Sequence, residues 1–252
     1  MIEIFVLSII QGITEFLPIS SSSHLILVSK YLSFNNQNFS IDVSLHIGSF
    51  LAVIVFFKKD ILNFLKNKKI FFKILLSSLP VMIVGYILIK FDLMEHIRNV
   101  KIIGWTTIIF GVLLFISDRS KKIKKISKNF DYKSAVFVGF FQILSLIPGV
   151  SRSGITITAA RFLKFERVES AKISFLMSIP TLAAVSFYGV NNFIQNENSL
   201  LSLMNLLSIF LSFTFSLITI KYFLKYVKKF SLNIFIIYRI ILGVAILFLA
   251  YL

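Results

Sequence analysis

The stretch Gln11-Gly-Ile-Thr-Glu15-Phe-Leu-Pro18-Ile-Ser-Ser21-Ser-Ser-His24 interrupts an apolar run that otherwise reads as a membrane helix. A second stretch, Pro148-Gly-Val-Ser151-Arg152-Ser153-Gly-Ile-Thr156-Ile-Thr158, breaks a later run in the same way. Proline removes a backbone donor and clashes with the preceding turn, while serines offer the backbone competing hydrogen bonds. A lipid-facing helix has no use for either. The segments at about 4–33 and about 134–163 are therefore expected to be re-entrant helix-loop-helix units.

The remainder of the chain sets the context for these breaks. Its 252 residues are 57% hydrophobic and 15% aromatic, well above the roughly 45–50% apolar content of a soluble domain. Six further runs, at about 41–57, 74–90, 101–118, 172–190, 200–220 and 232–252, are each long enough to span a bilayer. The expected fold is an all-α polytopic membrane protein, one membrane domain over residues 1–252 with six transmembrane helices and two re-entrant segments. Met1 to Ile10 has no basic start and no small-residue cleavage site, so this end is not expected to be a removed signal peptide. The absence of cysteine excludes disulfides, thiolate metal sites and thiol nucleophiles.

The net charge of +16 does not point to nucleic acid, because the basic residues lie in short clusters at the ends of apolar runs rather than along one face. The clusters at 58–73, 119–133 and 221–229 mark cytoplasmic loops, and Asn191 to Ser199, with Glu197 and no basic residue, marks an external one. Threading the spans on that rule puts residue 41 outside and 58 inside, then 172 inside and 191 outside. The two halves, about 1–118 and about 133–252, thus run in opposite directions. An offset of 131 also aligns Gln11 with Gln142, Ser20 with Ser151, Ser22 with Ser153, Leu51 with Leu182 and Ala52 with Ala183. An inverted-topology repeat is expected, with its two broken segments entering from opposite faces and meeting inside.

Glu15 is the only formal charge between Ile4 and Ser29, and Arg152 the only one between Ser134 and Ala160. A charge within the bilayer costs several kcal/mol on insertion scales, roughly 2.5–3.5, and marks a functional site by default. A bare structural ion pair would leave the hydroxyls around both residues unexplained. Ser20 to Ser23 and Ser151, Ser153, Thr156 and Thr158 precede or open helices, where free N–H groups and the dipole favour an anion. Arg152 adds a bidentate fork suited to phosphate. His24 is either a general acid–base, with Glu15 orienting it or holding a divalent cation, or a capping residue. His46 reads as a packing residue within a span or as a contact that supports a site residue, and His96 as solvated in an external loop with Asp92, Glu95 and Arg98. Arg161, Lys164, Arg167 and Lys172, with Glu166 and Glu169, read as an interfacial cytoplasmic connection, and the 29 phenylalanines as core and lipid-facing packing.

On these two motifs, and on the size of the chain, the sequence resembles the bacterial undecaprenyl pyrophosphate phosphatases over its full length. The resemblance implies hydrolysis of a polyprenyl diphosphate lipid to the monophosphate, recycling the carrier for cell-wall synthesis, with an association with bacitracin resistance. It also implies a re-entrant inverted-repeat fold, expected in the bacterial cytoplasmic membrane; the charge pattern puts the external mouth by the first broken segment, and the expected mechanism has Mg2+ or Ca2+ as a divalent cation at Glu15. The family's first motif begins with Glu or Gln; this chain has Gln11, which can support by hydrogen bonding but not act as an acid. Glu15, Ser21, His24 and Arg152 match catalytic positions, and Ser151, Ser153 and Thr156, with Gln11 and Arg152, match diphosphate-binding ones. The nucleophile is either Ser21 activated by His24 or a water activated by the same groups. A secondary transporter or flippase for a phosphorylated polyprenyl lipid is the alternative, since such folds also use broken helices; homo-oligomerisation is left open.

Single cysteines introduced at positions 66 and 195 are expected to react with a membrane-impermeant thiol reagent from opposite sides. Labelling of both from one side would contradict the opposed halves.

Overall fold

The computed structural model describes residues 1–32, 34, 39–66, 68–91, 93, 99–119, 123–195 and 202–252. In chain order its helices are α1 (Ile2–Thr14), α2 (Ser21–Leu32), α3 (Phe39–Phe56), α4 (Lys58–Lys66), α5 (Lys68–Lys90), α6 (Val100–Arg119) and the single turn α7 (Ile126–Asn129). They continue with α8 (Tyr132–Ile143), a 3₁₀ turn at Leu144–Leu146, α9 (Arg152–Phe162), α10 (Arg167–Gln195), α11 (Leu203–Lys229) and α12 (Asn233–Tyr251). Among the described residues there is no strand, only an isolated bridge between Lys124 and Phe165. Six of these helices, α3, α5, α6, α10, α11 and α12, are long and apolar enough to cross a membrane. The chain is a multi-pass membrane protein of all-α fold.

Two basic stretches differ from the expectation of loops. Residues 58–66 form α4, whose Ile61 packs on the core while Lys58 and Lys59 stay exposed. Lysine is a good helix former, and its long stem lets the ammonium stay in water beside an apolar face. The same reason extends α11 past residue 220 to Lys229: Phe223 and Val227 are buried, and the lysines among them point away. Asp92, Glu95, His96 and Arg98 of the expected external loop lie outside the described residues, as does Glu197.

Both breaks fall where proline and serine announced them. α1 ends at Thr14, and α2 starts directly after Ser20; α8 ends at Ile143, and α9 starts directly after Ser151. Ser20 and Ser151 carry positive φ values of 75° and 72°, uncommon for residues with a side chain and typical of functional turns. Gly149 precedes the second turn at φ 93°, and a methyl group there would meet the Thr106 hydroxyl at 2.0 Å. Only glycine fits that bend.

Each short N-terminal helix of one half rests on a long helix of the other: α1 on α11, and α8 on α5. Small residues allow the close approach that helices need where lipid offers no hydrophobic drive. A methyl group on Gly12 would meet Phe215 at 2.5 Å, and one on Gly139 would meet the Ser77 carbonyl at 2.5 Å. Between α3 and α11 the Ser49 hydroxyl meets those of Ser212 and Ser216 at 3.2 and 3.1 Å. Phe175 of α10 forms the hub of the apolar core, edge-on to Phe16 and Phe57 with centroids 5.3 and 6.2 Å away. Through Phe16 this hub anchors the first break.

Arg161 and Arg167, of the expected interfacial connection, converge on Asp118 at the end of α6. Arg161 Nη2 forms an ion pair with Asp118 Oδ1 at 2.8 Å and donates to the Asp118 main-chain carbonyl at 3.0 Å, Arg167 Nε donates to Oδ1 at 2.9 Å, and the Leu232 amide donates to Oδ2 at 3.2 Å. Asp118 and Arg161 are both 3% exposed. One carboxylate thereby ties together the ends of α6, α9, α10 and α12. Removing it strands two cations at least partly buried, which costs about 3–5 kcal/mol. Asp118→Ala is expected to lower the midpoint of thermal unfolding in detergent sharply, and an unchanged midpoint would contradict this role.

Candidate active site

The two breaks touch. Glu15, in the turn that follows α1, is 8% exposed, and its Oε1 accepts from Arg152 Nη2 at 2.8 Å across from the first turn of α9. Its Oε2 accepts from Ser21 Oγ at 2.6 Å and from Gln11 Nε2 at 3.1 Å. Gln11 lies one turn before Glu15 on α1, so their spacing of four puts both side chains on one face. Arg152 also donates Nη1 to the Ser174 carbonyl of α10 at 3.2 Å. Its guanidinium lies 6.0 Å from the centre of the Phe16 ring. A carboxylate, a serine hydroxyl and an arginine are therefore in direct contact, drawn from both halves of the chain.

The hydroxyls divide by task. Ser151 Oγ accepts from the Gly154 amide at 3.1 Å and so caps α9. Ser153 Oγ donates to the Leu17 carbonyl at 2.6 Å, a direct tie between the breaks. Thr156 Oγ1 lies 2.8 Å from both the Arg152 carbonyl and the Ser174 hydroxyl, turned towards α10. Ser20 and Ser23 meet at 3.0 Å at the start of α2. Two helix starts, α2 and α9, thus open beside the Glu15–Arg152 contact.

The structure brings Gln11, Glu15, Ser21 and Arg152 into one hydrogen-bonded cluster, with Ser151 and Ser153 on the adjoining turn. His24 points elsewhere: Nδ1 lies 2.6 Å from the Ser20 carbonyl, and Nε2 2.6 Å from the Tyr238 hydroxyl. A carbonyl can only accept, so Nδ1 carries the proton, and in the neutral ring Nε2 accepts from tyrosine. The His24 and Tyr238 rings also stack at 5.7 Å with 9° between their planes. The group in contact with the Ser21 hydroxyl is Glu15, not His24. His46 lies in α3, where its Nδ1 is 2.7 Å from the Asp42 carbonyl.

Two residues of α12 escaped the sequence reading. Arg239 is the largest fully buried side chain of the described residues and reaches both breaks. It donates to the carbonyls of Pro18 at 3.2 Å, Gly149 at 2.9 Å, Val150 at 3.0 Å and Thr107 at 3.2 Å. A signal for it was present, since Arg239 is the one formal charge between Asn233 and Leu252, as Glu15 and Arg152 are in their segments. Tyr238 had none, being one aromatic residue among many.

Taken together, a buried carboxylate, an arginine fork and two helix starts form one polar cluster in the interior of a multi-pass helical membrane protein. The model for the family described as bacitracin resistance protein BacA matches residues 4–245. The chain belongs to that family. It is 49% identical over 251 residues to the undecaprenyl-diphosphatase of Pelagibacter ubique (strain HTCC1062), covering 99% of this chain and 98% of the relative. Proteins of the same name from Jannaschia sp. (strain CCS1) and Ruegeria sp. (strain TM1040) are 37% and 35% identical, each match covering at least 98% of both chains.

The His24–Tyr238 contact is expected to appear in ¹⁵N spectra of histidine-labelled protein as a ring with protonated Nδ1 and a hydrogen-bonded, unprotonated Nε2. Tyr238→Phe should shift that Nε2 signal alone; an unaltered spectrum would contradict the assignment.

Proposed function

We infer that the chain is an undecaprenyl-diphosphatase, which hydrolyses undecaprenyl diphosphate to undecaprenyl phosphate and inorganic phosphate and so returns the lipid carrier to bacterial cell-wall synthesis. The observation that carries this reading is the Ser21–Glu15–Arg152 contact, with the hydroxyl 2.6 Å and the guanidinium 2.8 Å from opposite oxygens of one carboxylate. It occurs in a chain that matches relatives named for this activity from end to end.

The terminal phosphoryl group takes over Arg152 from Glu15 and lies against the starts of α2 and α9, whose N–H groups and dipoles offset its charge. Ser21 Oγ attacks the terminal phosphorus while its proton passes to Glu15 Oε2. The P–O bond to undecaprenyl phosphate breaks, leaving a phosphoserine. The leaving group is itself a phosphate, stable as an anion, and needs no acid. Water then attacks the phosphoserine; the P–O bond to Ser21 Oγ breaks as Glu15 returns to that oxygen the proton it took, and inorganic phosphate departs with both protons of the water. A serine beside a carboxylate favours this route over direct attack by water.

Glu15 and the amide oxygen of Gln11 would hold a divalent cation, Mg2+ or Ca2+, together with diphosphate oxygens. Gln11 Oε1 is buried and makes no hydrogen bond within the described protein, as suits an oxygen donor of this kind. Such a cation would neutralise charge on the diphosphate. Among the described residues no three acidic or histidine side chains cluster to hold a metal unaided, so the substrate would complete its coordination.

The two helix-break-helix units are re-entrant, and the halves at about 1–118 and 133–252 are inverted repeats. Support comes from the shared positive φ at Ser20 and Ser151 and from the reciprocal rest of α1 on α11 and α8 on α5. The basic clusters argue for the cytoplasmic membrane with the site open to the external face.

Purified in detergent, where transport has no meaning, the protein is expected to release phosphate from a polyprenyl diphosphate. Ser21→Ala should lower turnover by about a thousandfold or more, and acid quenching of the parent protein should trap phosphoserine at position 21. A substantially active alanine variant would exclude the serine nucleophile, and no phosphate release from the parent would favour the transporter.

A further inference from the structure

Within the described residues, the hydrogen bonds of Arg239 go to main-chain carbonyls. Its guanidinium is 0% exposed, and four of its donor bonds go to backbone carbonyls alone. These belong to three separate pieces of chain: Pro18 in the first break, Gly149 and Val150 in the second, and Thr107 in α6. Gly154, in the first turn of α9, leaves the space for it, since a methyl group at that position would meet Arg239 Nη1 at 2.8 Å. The guanidinium therefore lies against the first turn of α9.

The consequence follows from the geometry of the peptide group. No peptide bond among the described residues is cis. In a trans peptide the carbonyl and the next N–H point in opposite directions. Drawing the Val150 carbonyl back onto Arg239 turns the Ser151 N–H forward, towards the space that α9 opens on. Ser151 adopts φ 72° and ψ 117° to do so, a conformation that a residue with a side chain holds only when its surroundings enforce it. The planar fork of arginine is the means of enforcement: Nη1 and Nη2 accept no alternatives in direction, whereas a lysine ammonium can swivel.

We propose that Arg239 is the positioning residue of the phosphate cradle: it pulls the Pro18, Gly149 and Val150 carbonyls to its own side and so aims the Ser151 N–H and the first turn of α9 at the diphosphate. Its positive charge, held one peptide layer behind the cradle, also favours the anion over water. This rests on the diphosphatase reading for the identity of the anion, but the claim about the cradle concerns binding and is tested apart from turnover.

The test compares the parent protein with Arg239→Lys and Arg239→Gln, full chain in detergent, by thermal unfolding, by calorimetric binding of inorganic pyrophosphate and by phosphate release. Arg239→Lys is expected to stay folded, to bind pyrophosphate about tenfold more weakly and to lose about a hundredfold in kcat, the scale of losing an aligned backbone donor. Arg239→Gln should bind more weakly still. A folded Arg239→Lys protein with parental pyrophosphate affinity would overturn the proposal. So would activity lost only in proportion to the unfolded fraction, or both variants failing to fold, since either assigns Arg239 to stability alone. Pyrophosphate binding that depends on Arg239 in a parent protein that releases no phosphate would support the cradle while refuting the diphosphatase.

Discussion

Two breaks in helical backbone, at residues 15–20 and 144–151, turn carbonyl groups into the interior where no helix can satisfy them. A buried carbonyl without a donor costs about as much as a lost hydrogen bond. The rest of the structure is arranged around that debt. Arg239 supplies donors to Pro18, Gly149 and Val150, Ser153 to Leu17, and Thr106 to Pro148 at 2.6 Å. Each donor comes from a different stretch of chain from the carbonyl it serves, so satisfying the breaks also fixes how α6, α9 and α12 pack around them.

The same arrangement underlies the proposed chemistry. Irregular backbone is tolerated in a membrane protein where it lines a cavity or a site, and here it frees two helix starts beside one carboxylate and one arginine. Glu15 is paired with Arg152 and touches Ser21; in the proposed mechanism an anion competes for the guanidinium and frees the carboxylate that already contacts that serine. In the proposed mechanism, binding of the phosphate and activation of the nucleophile are therefore coupled through a single side chain. Gln11 in place of a second acid keeps that coupling simple, because it adds a hydrogen bond to Glu15 without a competing charge.

Much of this was legible in the sequence. Proline and serine inside apolar runs located both breaks, and lone charges located Glu15 and Arg152, because each departs from what lipid permits. The six spans followed from apolar length, with errors at their basic ends, where lysine stems extend helices beyond the apolar stretch, as in α4 and the end of α11. The partner of Ser21 was not legible: the sequence reading paired it with His24, whereas Glu15 holds it, and the choice depends on which way two short helices turn. Nor was the Asp118 node, since Arg161 and Arg167 look the same in sequence whether solvated or buried. Arg239 carried the same signal as Arg152, a lone charge in an apolar run, but without a proline or serine cluster to draw attention to it.

The account stands on the two halves meeting through Glu15 and Arg152. A double-mutant cycle on unfolding free energy in detergent, with Glu15→Gln, Arg152→Met and the pair combined, measures that contact directly. It should give a coupling of about 1–3 kcal/mol, the range for residues in one ion-pair network. Strictly additive effects of the two substitutions would contradict it.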